Sequence, residues 1–169
     1  MLSKLLGDFP RVIQLLRDDH KLVRSLFAQY EKATNGKKPP LAQKLLRELT
    51  VHAYIEEKVL YPAFRRAFKE PQMIFEAFQE HHLVHLLINE LSTFRPGPGS
   101  ATFEAKMKVL KELVKHHVDE EERHVFPKAE AHDLDWDSLF EKARKLKNHR
   151  LTTRSNKRLS SKSQHSRAA

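Results

Sequence analysis

Two short stretches carry the same side-chain chemistry at the same spacing. HAYIEEKVLYP runs from His52 to Pro62, and HVDEEERHVFP from His117 to Pro127. In each, a histidine is followed four residues later by a glutamate, Glu56 or Glu121, with a second acid beside it, Glu57 or Glu122. On a helix, positions i and i+4 share a face. Such a pair can serve as two metal ligands, as part of a buried hydrogen-bonded network, or as an exposed ion pair. Which it is depends on where the rest of the helix points.

The 3.6-residue period places four long helices around these motifs. They cover about Pro10 to Lys32, Leu41 to Tyr61, Pro71 to the residues before RPGPGS, and Thr102 to Phe126. Asp8 is a candidate cap for the first. Pro62 and Pro127 are expected to stop or kink the second and fourth. A short fifth helix, about Trp136 to Asn148, follows Asp135. Short connections make an all-α, up-down-up-down four-helix bundle the expected fold.

The apolar stripes of these helices contain the polar residues. The first stripe is Ile13, Leu16, His20, Val23, Phe27 and Tyr30. The second is Leu45, Leu49, His52, Glu56, Val59 and Ala63, and the third Ile74, Phe78, His81, His85 and Ile88. The fourth is Met107, Leu110, Val114, His117, Glu121 and His124. HKLVRSLF at His20 also aligns with HHLVHLLI at His81, so the two halves repeat one hairpin design. The repeat and the stripe both select His81 over its neighbour His82.

Antiparallel helices bring their midpoints to one level, so His20, His52, Glu56, His81, His117 and Glu121 should meet inside the bundle. Buried carboxylates cost several kcal/mol each unless compensated. A multivalent cation compensates both and takes neutral imidazoles as further ligands. Six such groups exceed the four of a closed zinc site. Two six-coordinate irons offer about 12 positions. Four histidines fill four, two bridging glutamates four and a bridging oxygen two, leaving two open, or one if His85 also binds. Glu57 and Glu122 fall one residue further round the helix, toward solvent or a supporting contact.

Composition bounds the rest. The 169 residues include no cysteine, which excludes disulfides, thiolate ligands and thiol catalysis. The chain is 40% hydrophobic and 31% charged, ordinary for a globular protein. No apolar run approaches the roughly 20 residues of a membrane helix, and no secretory apolar region is evident near the N-terminus, so a cytoplasmic protein with no membrane partner is expected. The net charge of +9 is uneven. Residues 1–149 carry 25 basic and 22 acidic side chains, whereas 150–169 carry six basic and none acidic. A domain over 1–149 and a disordered basic tail over 150–169 are expected. The tail lacks aromatic residues for base stacking, which argues against nucleic-acid binding beyond a weak contact.

These motifs together resemble the hemerythrin-like family, the HHE cation-binding domain. The resemblance covers about residues 8 to 150 and rests on DDHKLV, HAYIEEKVLYP, EHHLVH and HVDEEERHVFP. It implies a non-haem di-iron centre, two iron ions bridged by oxo or hydroxo. His20, His52, His81 and His117 would be terminal ligands, and Glu56 and Glu121 bridging carboxylates. His81 and His85 also match the H-x-x-x-H spacing of the family's oxygen carriers. The fourth helix departs from the carriers, with glutamate four residues after His117 where they place aspartate five on. The expected function is binding of, or reaction with, a small oxidant: dioxygen, peroxide or nitric oxide. Sensing, carriage and stress defence all fit, as does an enzyme that consumes peroxide or nitric oxide. The alternative is an iron-handling or interaction protein whose metal is regulatory or structural.

Overall fold

The computed structural model describes residues 9–165, with side chains through residue 150. The candidate cap Asp8 and residues 166–169 lie outside the described residues. The elements are α1 (Arg11–Lys32), α2 (Lys38–Ile55), a π-helical turn (Glu56–Leu60), α3 (Tyr61–Ala67), α4 (Gln72–Thr93), α5 (Ala101–Glu120), a second π-helical turn (Glu121–Val125), α6 (Phe126–Glu130) and α7 (Trp136–His165). Four rods therefore form the bundle: α1, α2 continuing into α3, α4, and α5 continuing into α6. α1 packs on α2 and α4 on α5, while α2–α4 and α1–α5 contacts close the ring. α7 lies over α1 and α2.

Prolines stand at the start of one rod and inside two. Lys38 opens α2 with Pro39 and Pro40 in its first turn, where no backbone N–H is needed. Pro62 and Pro127 do not end their rods. A proline inside an α-helix lacks the N–H for the carbonyl four residues back, and its ring presses on that carbonyl. Both rods widen by one residue just before the proline, and the N–H groups of Tyr61 and Phe126 bond to the carbonyls of Glu56 and Glu121. The helices then continue to Ala67 and Glu130.

Each wide turn moves the inward face one residue along. After Glu56 the most deeply buried positions are Leu60, Tyr61 and Phe64; after Glu121 they are Val125, Phe126 and Ala129. The stripe extrapolated at a constant 3.6 period fails at His124 for this reason. That side chain is 56% exposed, beside Glu120 on the solvent face.

α7 is longer than expected. No glycine or proline occurs between Trp136 and His165, so nothing local stops the helix near Asn148. Leu139 and Ala143 anchor its first turns in the core.

Two apolar clusters fill the bundle. One contains Ile13, Leu16, Ile55, Leu60, Phe64, Ile74, Phe126 and Leu139. The other contains Val23, Phe27, Leu45, Leu49, Phe103, Met107, Leu110 and Val114. Between them lies a polar layer. Among the described residues the buried polar or charged side chains are Asp19, His20, His52, Glu56, His81, His117 and Glu121.

Candidate metal centre

α1 supplies His20, α2 His52, α4 His81 and α5 His117, each near the middle of its rod. The π-turns supply Glu56 and Glu121 as their first residues. The six side chains aim at one another. His20 Nε2 lies 3.1 Å from His52 Nε2, and His81 Nε2 lies 3.0 Å from His117 Nε2. Two sets of ligand atoms converge: His20, His52, Glu56 and Glu121 in one, and Glu56, His81 and His117 in the other, each within 4.8 Å. Glu56 belongs to both sets. Its Oε1 is 3.2 Å from His52 Nε2 and its Oε2 3.3 Å from His81 Nε2. Glu121 Oε2 similarly lies 3.3 Å from His20 and 3.5 Å from His117.

The donors fit a cation better than they fit one another. Both oxygens of Glu56 and Oε2 of Glu121 are buried without a well-aligned hydrogen bond. Orphaned buried carboxylate oxygens are costly. Facing imidazole nitrogens at about 3 Å also need a shared proton or a shared Lewis acid. The donor set of imidazole nitrogen and carboxylate oxygen, with no thiolate, suits iron, zinc or manganese rather than a soft metal.

Protons take up part of this load in the cation-free arrangement. Burial alone would lower the pKa of His52, but Glu56, Asp19 and Glu121 overcome it and push it up to about 10. His81 is raised against its burial through Glu56 and Glu57, and His117 well above its usual value through Glu121, Glu56 and Glu80. Burial would raise Glu56, yet the charge of His52 and contacts with His117, His52 and His81 hold it well below the usual range.

The outward nitrogens of the histidines face a ring of carboxylates. His20 Nδ1 is 2.8 Å from Glu122, His81 Nδ1 3.0 Å from Glu57, and His117 Nδ1 2.7 Å from Glu80. Asp19 occupies the fourth place, 3.7 Å from His52 Nδ1. Carboxylates behind ligating imidazoles fix their tautomer and raise their basicity. Glu57 and Glu122 are thus half-buried partners of His81 and His20, not solvated acids. Their helices turn them sideways onto the histidine of the neighbouring rod, a contact between elements that spacing within one element cannot show.

His85 sits outside both donor sets. Its Nε2 is 2.9 Å from the Glu57 oxygen that also binds His81, and its side chain is 39% exposed. His82 is exposed.

One central residue was missed by sequence reasoning. The Tyr61 hydroxyl donates to Glu121 Oε1 at 2.8 Å and lies 3.4 Å from the Nε2 atoms of both His81 and His117. Burial, then the charges of Glu121 and Glu56, keep it protonated well above its usual pKa. At constant helical period Tyr61 leaves the stripe; the π-turn returns it five residues after Glu56. Its counterpart in the repeat, Phe126, stacks on His20 at 5.8 Å between ring centroids. The paired prolines were the available signal.

Comparison with known proteins agrees with this geometry. The sequence model of the hemerythrin HHE cation binding domain matches residues 11–129. A DNA nickase of Nostoc sp. (strain PCC 7120) is 27% identical over 113 residues, which is 66% of this chain but only 31% of that protein. The chain thus spans about a third of that relative's length. A hemerythrin-like protein of Schizosaccharomyces pombe is 26% identical over 144 residues, 80% of this chain and 70% of the other. The crystal structure of an HHE cation binding domain-containing protein from Mycobacterium kansasii superposes with a TM-score of 0.66, at 25% identity over 85% of this chain and 86% of that one. With the bundle, the doubled histidine–glutamate motif and the match over most of its length in hand, the chain belongs to the hemerythrin HHE cation-binding domain family.

Proposed function

We propose that the chain is a non-haem di-iron protein that binds or reacts with a small oxidant. The carrying observation is Glu56: fully buried, with no well-aligned hydrogen bond, and shared between two converging donor sets. Two cations held among His20, His52, His81, His117, Glu56 and Glu121 would satisfy all six donors. His20 and His52 would hold one, His81 and His117 the other. When bound, the iron pair supplies reversible electron transfer to an oxygen or nitrogen ligand.

The chain's own residues set what can reach it. A cavity of about 20 Å³ opens beside the four imidazoles, walled by Val23, Leu49, Ala53, Val84, Val114 and Val118. That is room for about one water-sized molecule, which favours dioxygen, nitric oxide or peroxide over an organic substrate. Its walls are apolar and exclude bulk water. On the opposite side the Tyr61 hydroxyl holds Glu121 in place and keeps a proton near the centre. His85 acts through Glu57 on the orientation of His81.

Protein loaded anaerobically and then oxidised should contain close to two irons per chain, with near-ultraviolet bands of an oxo-bridged ferric pair. One tightly bound zinc and no affinity for iron would overturn the reading. Steady consumption of peroxide or nitric oxide would mark an enzyme; stoichiometric binding would mark a carrier or sensor.

A further inference from the structure

The internal repeat makes the two halves of the centre comparable residue by residue. Asp19 precedes His20 as Glu80 precedes His81, and the two acids stand behind His52 and His117. The resemblance ends in what holds them. Glu80 bonds His117 Nδ1 at 2.7 Å. Asp19, one methylene shorter, stops 3.7 Å short of His52 Nδ1, and its Oδ1 accepts instead from the Lys147 ammonium on α7. His52 Nδ1 is consequently the one outward nitrogen of the four without a hydrogen bond. α7 packs on α1 and α2, the two helices that carry Asp19 and His52.

We propose that Lys147 is a positioning residue that holds Asp19 off His52, so that the His20–His52 half of the centre binds its cation more weakly than the His81–His117 half. Two effects act in the same direction. A histidine whose carboxylate stands too far back to accept its N–H is a weaker donor to metal. The nearby ammonium also repels a second positive charge, in a partly buried setting that water screens less than it would at the surface. The fifth helix thereby sets the inequality of two sites that the repeat would otherwise make alike. This rests on the two-cation reading above.

The test is a stepwise, anaerobic cobalt(II) titration of the full-length, metal-free chain, followed by visible absorption. Wild type should show two unequal steps. Lys147→Met should tighten the weaker step about three- to tenfold, below the 10–100-fold span of such outer contacts, and leave the stronger within about twofold. Asp19→Asn should move the same step the opposite way, since it removes the carboxylate and leaves the ammonium unbalanced. Lys147→Arg should retain the wild-type steps. If the Met variant does not fold, Lys147→Gln decides, with tightening of at least about twofold expected. A weaker step that is unchanged or loosened, or an equal change in both, would reduce Lys147 to a structural ion pair and overturn the proposal. A wild type that takes up fewer than two cobalt ions would overturn the two-cation reading and this inference together. Two ions with a Lys147→Met variant like wild type would overturn the inference alone.

Discussion

At the scale of single residues, burial separates ligands from supports. Glu56 and Glu121 are 0% and 1% exposed, whereas Glu57 and Glu122 keep about a fifth to a quarter of their side-chain surface and meet the central histidines at their outward nitrogens, with His85 and Arg24 as their other partners. Glu56→Ala or Glu121→Ala should therefore abolish stoichiometric iron binding. Glu57→Ala or Glu122→Ala should weaken it about 10- to 100-fold. Equal loss in all four variants, measured by metal analysis after dialysis, would contradict the assignment. His85→Ala should keep its iron and change only the rate of reaction with peroxide or nitric oxide, while His81→Ala loses iron. Protonation gives a second check on the metal-free chain. His52 has a folded pKa of about 10 against 6.5, so its stabilisation is complete below pH 6.5 and is lost as pH rises toward 10. Glu56 is depressed, so its contribution is present above pH 4.5 and is lost as pH falls below that. The melting temperature of metal-free protein should peak between these limits and fall on both sides. A steady rise from pH 6.5 to 9 would be the contrary result. Iron affinity should instead increase with pH, since binding displaces the His52 proton.

At the scale of elements, the two π-turns align the centre. Each begins at a glutamate and ends just before the aromatic–proline pair, so that Tyr61 and Phe126 lie beneath the donors rather than a quarter turn away. Replacing both prolines by alanine removes the clash that favours the wide turn. The double variant Pro62→Ala/Pro127→Ala should retain its helical circular dichroism and metal-free stability but bind iron less tightly. Unchanged affinity would show that other packing holds the turns open. Tyr61→Phe, which copies the residue in the other half, should fold with a modest penalty. Leaving Glu121 Oε1 unpartnered costs about 1–3 kcal/mol, or a fall of several degrees in the melting temperature of the metal-free chain.

At the scale of the whole molecule, α7 docks on the bundle through residues before 151. Leu139 and Ala143 are buried, Lys147 holds Asp19, and the Arg150 guanidinium lies 3.5 Å from the Tyr54 ring centroid. Truncation after Arg150 keeps all of these contacts. The shortened chain should melt within about 2 °C of full length, inside the range of a sub-kcal/mol change, and bind the same iron. Truncation before Trp136 removes the buried side chains and should cost several kcal/mol, as core deletions do. A large loss from the first cut would show that the basic extension is part of the folded unit. No helix among the described residues is long and apolar enough to cross a membrane.

The sequence by itself determined the four long helices and the six histidines and glutamates that meet at the middle of their inward faces. It also placed His85 and His124 on those faces, and the structure leaves them 39% and 56% exposed. A periodic apolar stripe is a local property, and a polar residue within one declares its own burial. Repetition then ties His20 to His81 and His52 to His117. Three things were settled only by the tertiary structure, each because it depends on contacts between helices or on a change of helical pitch. Glu57, Glu80, Glu122 and Asp19 became histidine partners because a neighbouring rod presented an imidazole edge to them. Tyr61 joined the centre, and His124 left it, because the wide turns before Pro62 and Pro127 shift the inward face by one residue. Lys147 came to stand behind the site because α7 folds back over α1 and α2, bringing together residues 128 positions apart in the chain.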